Sequence, residues 1–300
     1  MTKNQILKAF ENINVWTRGD ERAPHKPLLI LYALGKCHRG EDRLISYKEI
    51  DKGLRPLLIE YGPVRRSYHT EYPFWRLQHD GIWEVPNSQH LIRRRSHPDK
   101  GHADAKKSEL LKYDISGGFQ ETIYDSLRKD KRLIGEVTNI ILQNNFPETM
   151  HQDILDEVGL EIGSPTQDDP KRDSEFRSRV IRAYEHRCAI CGYDVRMGAS
   201  SLGLDAAHIK WHQARGPHTE DNGLALCVLH HKIFDRGAIT VSNDYQILVS
   251  QEVHGSNGLN EWLLRFHCKK MNMPQSPAFA PKKDYLDWHF REVFKKPARH

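Results

Sequence analysis

Apolar and polar positions divide the chain into two long patterned stretches with a short polar stretch between them. Over residues 5–13, 26–37, 47–61, 108–113, 119–128 and 133–144 the apolar positions recur every three or four residues, which predicts helices. Pro24 and Pro27 open the second of these, and Leu28, Leu29, Leu31, Tyr32 and Leu34 make it a buried helix. Pro56 is expected to bend or restart the third. Residues 74–78 and 82–85 predict a hairpin that turns across His79, Asp80 and Gly81. Arg93, Arg94 and Arg95 lead into a polar loop. Residues 163–172, with two prolines, a glycine and mixed charge, read as a linker. Beyond it, residues 174–186 predict a helix with Phe176, Val180, Ile181 and Tyr184 on one side. Residues 202–209 and 224–226 are strand-like, 228–236 is a short helix stopped at Gly237, 238–241 and 246–249 are strands, and 285–294 is a helix. The expected architecture is α+β. A mostly helical domain with a small hairpin or sheet covers residues 1–160, a linker covers 161–172, and a second mixed domain with a C-terminal extension covers 173–300.

Composition narrows the class. Aromatic residues make up 9% of the 300, and long periodic apolar segments are present, which excludes disorder throughout. The most apolar run, residues 27–34, is far shorter than the roughly 20 residues that cross a bilayer. The N-terminal stretch reads as a charged amphipathic helix rather than a signal peptide, so a soluble, cytoplasmic protein is expected. The net charge of +5 is spread over both halves, which permits nucleic-acid binding without arguing for it.

Five cysteines leave one unpaired, and in a chain without a secretory signal their grouping points to metal. Cys188 and Cys191 enclose two residues, and so do Cys227 and His230. Each spacing lets one tight turn aim two donors at one ion, and two such turns complete a tetrahedral structural zinc site. Cys37 and Cys268 are expected to be small buried hydrophobes.

Between and beyond these pairs stand CAIC, AAHIKW, a loop with Gly216, DNGLALC and LHHKIFDRGAIT. Over about residues 173–250 the chain resembles the McrA-like branch of the HNH (ββα-metal) nuclease family. That resemblance implies phosphodiester hydrolysis with His208 as general base and His231 holding a single divalent ion, Mg2+ or Mn2+. A histidine suits the base role because its ordinary pKa lies near neutrality. Asn222 would order its loop and orient His208, or ligate the ion. Many family members carry an aspartate just before the first histidine; here that position is Ala207. Asp205, on the same strand face, and Asp235, one helical turn after His231, are the replacements open to the ion. His186, His212 and His218 are expected to face solvent.

The first stretch holds a basic and aromatic cluster: Arg18, Arg22, His25, Lys26, Arg65, Arg66, Tyr68, His69, Tyr72 and Trp75. Such a surface suits phosphate contacts and ring packing. Phe74, Leu77 and Trp83 fit equally well as core. APHKPLLIL, the HxxYPF pattern at His69–Phe74 and DGIWEV resemble the sulfur-binding domain of phosphorothioate-dependent restriction endonucleases, over about residues 1–160. That resemblance implies recognition of duplex DNA carrying sulfur in its backbone. Tyr72 and Pro73 would line a shallow apolar dimple for the sulfur, with His69 in the same pattern. Arg22, His25 and Lys26 would form the cationic side. Sulfur is more weakly hydrated than oxygen, so an apolar dimple accepts it at little desolvation cost. Dependence on a modified base such as methylcytosine, and a non-catalytic zinc-containing DNA binder, are the alternatives. A single nuclease module cuts one strand, so a homodimer is a further expectation, with the C-terminal region either supplying its contacts or packing on the nuclease module.

Overall fold

The computed structural model describes residues 1–16, 19–91, 93–95, 103–161 and 174–300. The polar stretch expected to be a linker and much of the loop after Arg95 lie outside these residues. The chain forms two compact units: Met1–Arg18, Ala23–Phe146 and His151–Gly163 make the first, and Gly19–Arg22, Pro147–Met150 and Ser164–His300 make the second. Both mix helices with small sheets, as the α+β pattern requires.

The first unit contains α1 (Lys3–Glu11), α2 (His25–His38), β1 (Ile45–Ser46), α3 (Tyr47–Tyr61), α4 (Glu71–Arg76), β2 (Trp83–Glu84), β3 (Arg93–Arg95), β4 (Ala103–Ala105), α5 (Lys107–Lys112), β5 (Ser116–Phe119), α6 (Glu121–Lys129), α7 (Lys131–Asn145) and α8 (His151–Val158). Helix α2 is apolar around most of its circumference and is therefore central, packed by α3, α7 and α8. Strand β5 pairs antiparallel with β1 (Ile45 opposite Gly117) and β2 (Trp83 opposite Phe119). Gly118 is required there, because a Cβ would lie 1.9 Å from the Arg43 carbonyl oxygen. Edge-to-face rings of Tyr47, Phe74, Trp83, Phe119 and Phe10 run through the core.

One expectation fails in this unit and another is narrowed. Residues 74–78 are not a strand: α4 and a 3-10 turn over Leu77–Asp80 occupy that stretch, and β2 pairs with distant β5 instead. Pro73 falls in the first helical turn, where a missing N–H costs nothing. Helix α3 runs through Pro56 as one element rather than restarting. Neither β5 nor α8 was expected, and Phe119 belongs to the strand rather than to the following helix.

The second unit contains α9 (Ser174–Ala183), β6 (Arg196–Met197), β7 (Ser200–Ser201), β8 (Leu204–His208), β9 (Gly223–Cys227), α10 (Val228–Asp235), β10 (Ile239–Val241), β11 (Ile247–Val249), α11 (Leu259–Trp262) and α12 (Lys283–Glu292). Strands β8 and β9 pair antiparallel, with Ala207 opposite Leu224 and His208 opposite Gly223, and α10 follows directly. Helix α9 covers this hairpin. It approaches closely because Gly223 has no side chain; a Cβ there would lie 2.4 Å from Val180 Cγ2. The C-terminal region is part of this unit's core. Met271 and Leu286 are buried in it, His289 stacks on Phe234 at 3.7 Å, and Arg299 N–H donates to the Val249 carbonyl. Cys37 is buried as expected, but Cys268 is exposed, at a turn with φ of 60°. The backbone of Cys268 and Lys269 bonds Ile247 of β11, and the thiol is left outside.

Candidate functional sites

The donor atoms of Cys188, Cys191, Cys227 and His230 lie within 4.8 Å of one another, the group among the described residues that could hold a metal ion. Cys191 and Cys227 sulfurs are 4.0 Å apart, and His230 Nδ1 lies 3.2 Å from Cys227 Sγ and 3.8 Å from Cys188 Sγ. Sulfur ligands about 2.3 Å from a tetrahedral ion stand about 3.8 Å apart, so this donor set fits one. Two short turns supply it: the knuckle after α9 and the β9–α10 junction. His230 Nε2 donates to the Trp262 carbonyl at 2.8 Å, which turns Nδ1 toward the sulfurs.

His208 ends β8. Its ring lies on Phe176 at 4.1 Å with an interplanar angle of 14°. Burial, followed by the neighbouring His218 and His212 rings, pushes its pKa down to about 3, against the pull of Asp235. The ring is therefore neutral, the form that accepts a proton. His218 does not simply face solvent. Its Nδ1 lies 3.0 Å from His208 Nε2, while His212 is exposed and stacked on His218. Only the fold of the loop across β8 and β9 reveals this contact, since ten residues separate the two rings.

His231, on α10, has a carboxylate facing each ring nitrogen. Asp205 Oδ2 lies 3.8 Å from Nδ1 and Asp235 Oδ2 lies 3.3 Å from Nε2. Asp235 is buried and accepts a hydrogen bond from Thr149. Asp205 is more exposed and is paired with Arg177 at 3.0 Å. Ala207 points into the core, fully buried, so an ion ligand at that position has no place here.

Asn222 is fully buried, and its amide is spent on backbone. Oδ1 accepts from Lys210 N–H at 2.8 Å, and Nδ2 donates to the Lys210 and Pro217 carbonyls at 3.0 and 2.9 Å. Its own carbonyl accepts from Ile209 N–H, next to His208. These bonds tie the strand end to the loop and leave the amide oxygen engaged. Asn222→Ala is expected to strand buried backbone groups, at about 1–3 kcal/mol for each. Urea unfolding of the second unit, read beside cleavage, checks this.

In the first unit, α4 carries Tyr72 and Pro73. Its start is pinned by buried Thr70, which contacts Tyr47 Oη at 2.9 Å and donates to Asp51, itself held by Lys107. Tyr72 is stacked on His69 at 4.8 Å, and the Arg76 guanidinium lies over its ring at 4.4 Å. Pro73 and Trp75 are buried, and so are Phe74, Leu77 and Trp83. His69 also bonds Ser67 and Glu71. His25 stands in the same electrostatic neighbourhood. Burial, followed by Arg65, His69 and Arg76, pushes its pKa down to about 4. The structure does not bring the other two expected cations to this place. Lys26 is bound to Asp80 and the Asn14 carbonyl, with its side chain largely buried. Arg22 belongs to the second unit, where it lies 3.9 Å over Trp211 and donates to the Glu292 carbonyl. Arg18 lies outside the described residues.

A neutral buried histidine makes stability fall on acidification. The unfolded chain takes up a proton below about pH 6.5, whereas folded His25 does so only near pH 4. The stabilisation is present above pH 6.5 and is lost as the pH falls toward 4. Melting of the first unit is therefore expected to weaken between pH 7 and 5, and His25→Asn to flatten that dependence. His208 and His289 act in the same sense in the second unit.

Residues 3–162 match the family model for the ScoMcrA-like DNA sulfur-binding domain. Residues 188–242 match that of an HNH endonuclease. Among solved structures, the chain is similar to the sulfur-binding domain of ScoMcrA complexed with phosphorothioated DNA, at 23% identity over 51% of this chain and 94% of that one, with a TM-score of 0.45. It is also similar to the sulfur-binding domain of SprMcrA complexed with phosphorothioated DNA, at 20% identity over 53% and 95% of the two chains, TM-score 0.42. A third structure is the type IV phosphorothioation-dependent restriction endonuclease ScoMcrA, at 22% identity over 51% of this chain and 32% of that one, TM-score 0.42. No curated protein matches the chain. Among the described residues, no helix is long and apolar enough to cross a membrane.

Proposed function

Because the chain belongs to the family of ScoMcrA-like DNA sulfur-binding domains and carries an HNH endonuclease domain after it, we propose that it is an endonuclease dependent on backbone phosphorothioate in duplex DNA. The single observation that carries this reading is the succession of those two domains in one chain. The first unit reads the modification, and the second hydrolyses a phosphodiester nearby.

In the first unit, part-exposed Tyr72, backed by buried Pro73, offers the sulfur a weakly hydrated surface, and a normal phosphate oxygen would lose water contacts there. His69 and Arg76 pack on the Tyr72 ring and hold it. His25, on the same side of the unit, supplies polar contact with the neighbouring backbone. In the second unit, Cys188, Cys191, Cys227 and His230 hold Zn2+ as a structural staple. His208 takes the proton of the attacking water. Asn222 fixes the strand end that carries His208. His231 and Asp205 hold a divalent ion, Mg2+ or Mn2+, with Asp235 orienting the imidazole from its buried side. When bound, that ion supplies charge stabilisation to the scissile phosphate and the leaving oxygen. Two copies acting together cut both strands.

Plasmid from cells with and without backbone sulfur, incubated with the protein and Mg2+ or Mn2+, tests the reading. Only the sulfur-bearing plasmid is expected to be cut; equal cutting of both eliminates it. Tyr72→Ala and Pro73→Ala are expected to reduce the preference for sulfur-bearing duplex at least about tenfold, the equivalent of about 1.4 kcal/mol. Zinc content is expected to stay unchanged. Competition binding with matched duplexes measures the preference.

A further inference from the structure

One side of His208 is occupied by another imidazole. The 3.0 Å between His208 Nε2 and His218 Nδ1 has room for one proton. The His218 ring lies against that of His212, with centroids 4.4 Å apart and planes at 30°, and His212 is exposed. Residue 218 is held in place from its backbone. Its carbonyl accepts from Arg179 at 2.7 Å, Arg179 is paired with Glu220 at 3.1 Å, and the preceding Pro217 carbonyl accepts from Asn222. Phe176 closes the opposite face of His208.

Resting on the reading of His208 as the general base, we propose that His218 is its positioning residue: it accepts the His208 Nε2 proton, fixes the tautomer that leaves the lone pair on Nδ1, and passes the proton arriving from water toward solvent. Two neutral rings sharing one proton can be arranged so that His208 Nε2–H donates to His218 Nδ1 and His218 keeps its own proton on Nε2. In the reaction an O–H bond of water breaks and its proton goes to His208 Nδ1. The electron pair stays on the oxygen, which bonds to phosphorus as the bond to the leaving oxygen breaks, and that pair leaves with the leaving oxygen. The Nε2 proton of His208 then moves to His218 Nδ1, and the His218 Nε2 proton moves to solvent beside His212. The reverse transfers, with the Nδ1 proton released to solvent as product departs, restore the starting tautomers.

An outlet is needed because a charge on His208 is disfavoured. Burial opposes it most, His218, His212 and His231 oppose it further, and Asp235 alone of these groups favours it. The half-exposed His218, next to exposed His212, can hand a proton to water while substrate still covers the Nδ1 side of His208, which opens only as product departs.

The test compares wild type, His218→Ala and His218→Gln in single-turnover cleavage of sulfur-bearing plasmid, with zinc content and melting as controls for folding. Both variants are expected to be slower by about 10- to 100-fold, within the range of proton-transfer contributions. Added imidazole is expected to restore His218→Ala in a saturable way, because it fills the vacated place and moves protons. It is not expected to restore His218→Gln, whose side chain fills that place but relays nothing. Histidine 15N spectra of the full chain provide a readout independent of cutting. The His208 signal, identified by its loss in His208→Ala, is expected to report Nε2–H in wild type and mixed tautomers in His218→Ala. Variants that cut as fast as wild type, or an unchanged His208 tautomer in His218→Ala, would overturn the role of His218 alone. A wild type that leaves the sulfur-bearing plasmid uncut overturns the nuclease reading and the relay with it.

Discussion

His208→Ala is expected to lower strand cleavage by about 10²–10⁴-fold, the range a positioned general base contributes, while zinc content and duplex binding stay at wild-type values. The expectation rests on position and on charge. The ring sits at the end of β8, stacked on Phe176, with Asn222 bonding the backbone on both sides of residue 209. No neighbouring base replaces it in place: His218 stands on its Nε2 side and His231 is engaged by two carboxylates. Alanine leaves the β8–β9 hairpin paired, since its register depends on backbone groups and on the burial of Leu204 and Ala207. Because burial pushes the His208 pKa down to about 3, the base stays unprotonated through the acid range. Its own titration therefore gives wild type no loss of rate between pH 7 and 5.5. Nicking of sulfur-bearing plasmid, with duplex binding followed separately by anisotropy, decides the matter. A variant that nicks at the wild-type rate removes His208 from the mechanism.

Removing the structural ion, by chelation or by Cys188→Ser, is expected to unfold the second unit and leave the first folded. Cys188, Ala189 and Ile190 lie in the same apolar cluster as β8, β9 and α9, so the knuckle is core as well as ligand. A structural zinc contributes an apparent free energy of about 10–16 kcal/mol. A domain's whole stability is about 5–15 kcal/mol. Losing the ion therefore removes a contribution comparable to the whole stability of this unit. The first unit has its own core around α2 and the Tyr47–Phe74–Trp83–Phe119 rings, and none of the four ligands. Calorimetry is expected to show two transitions, of which only one disappears with chelator or in the variant. Coincident loss of both, or survival of both with zinc gone, contradicts the assignment.

The convergence of the ligand pairs at 188, 191 and 227, 230 was legible in the sequence, because each pair is a local spacing that one short turn carries through folding. The buried α2 was legible for a similar reason: an apolar run with no polar face has only one place to go. Residues 74–78 were misread because apolar positions in so short a stretch fit two periods, and Pro73 sits where a helix start tolerates it. Strand β5 was missed because Ser116, Gly117 and Gly118 carry little strand propensity; it forms where β1 and β2, both distant in sequence, need a partner.

The amino-acid order by itself determined which residue types could do which work: four soft donors for an ion, an imidazole for a proton, a Tyr-Pro step for a weakly hydrated atom. Tertiary structure alone decided which of them meet. It set Asp205 against His231, placed His218 on His208, buried Lys26 against Asp80 and assigned Arg22 to the second unit. The reason is one of range. Ligand spacing and helical periodicity act over a few residues, whereas a contact between side chains ten to several hundred residues apart depends on which apolar faces are buried together, and no local pattern records that.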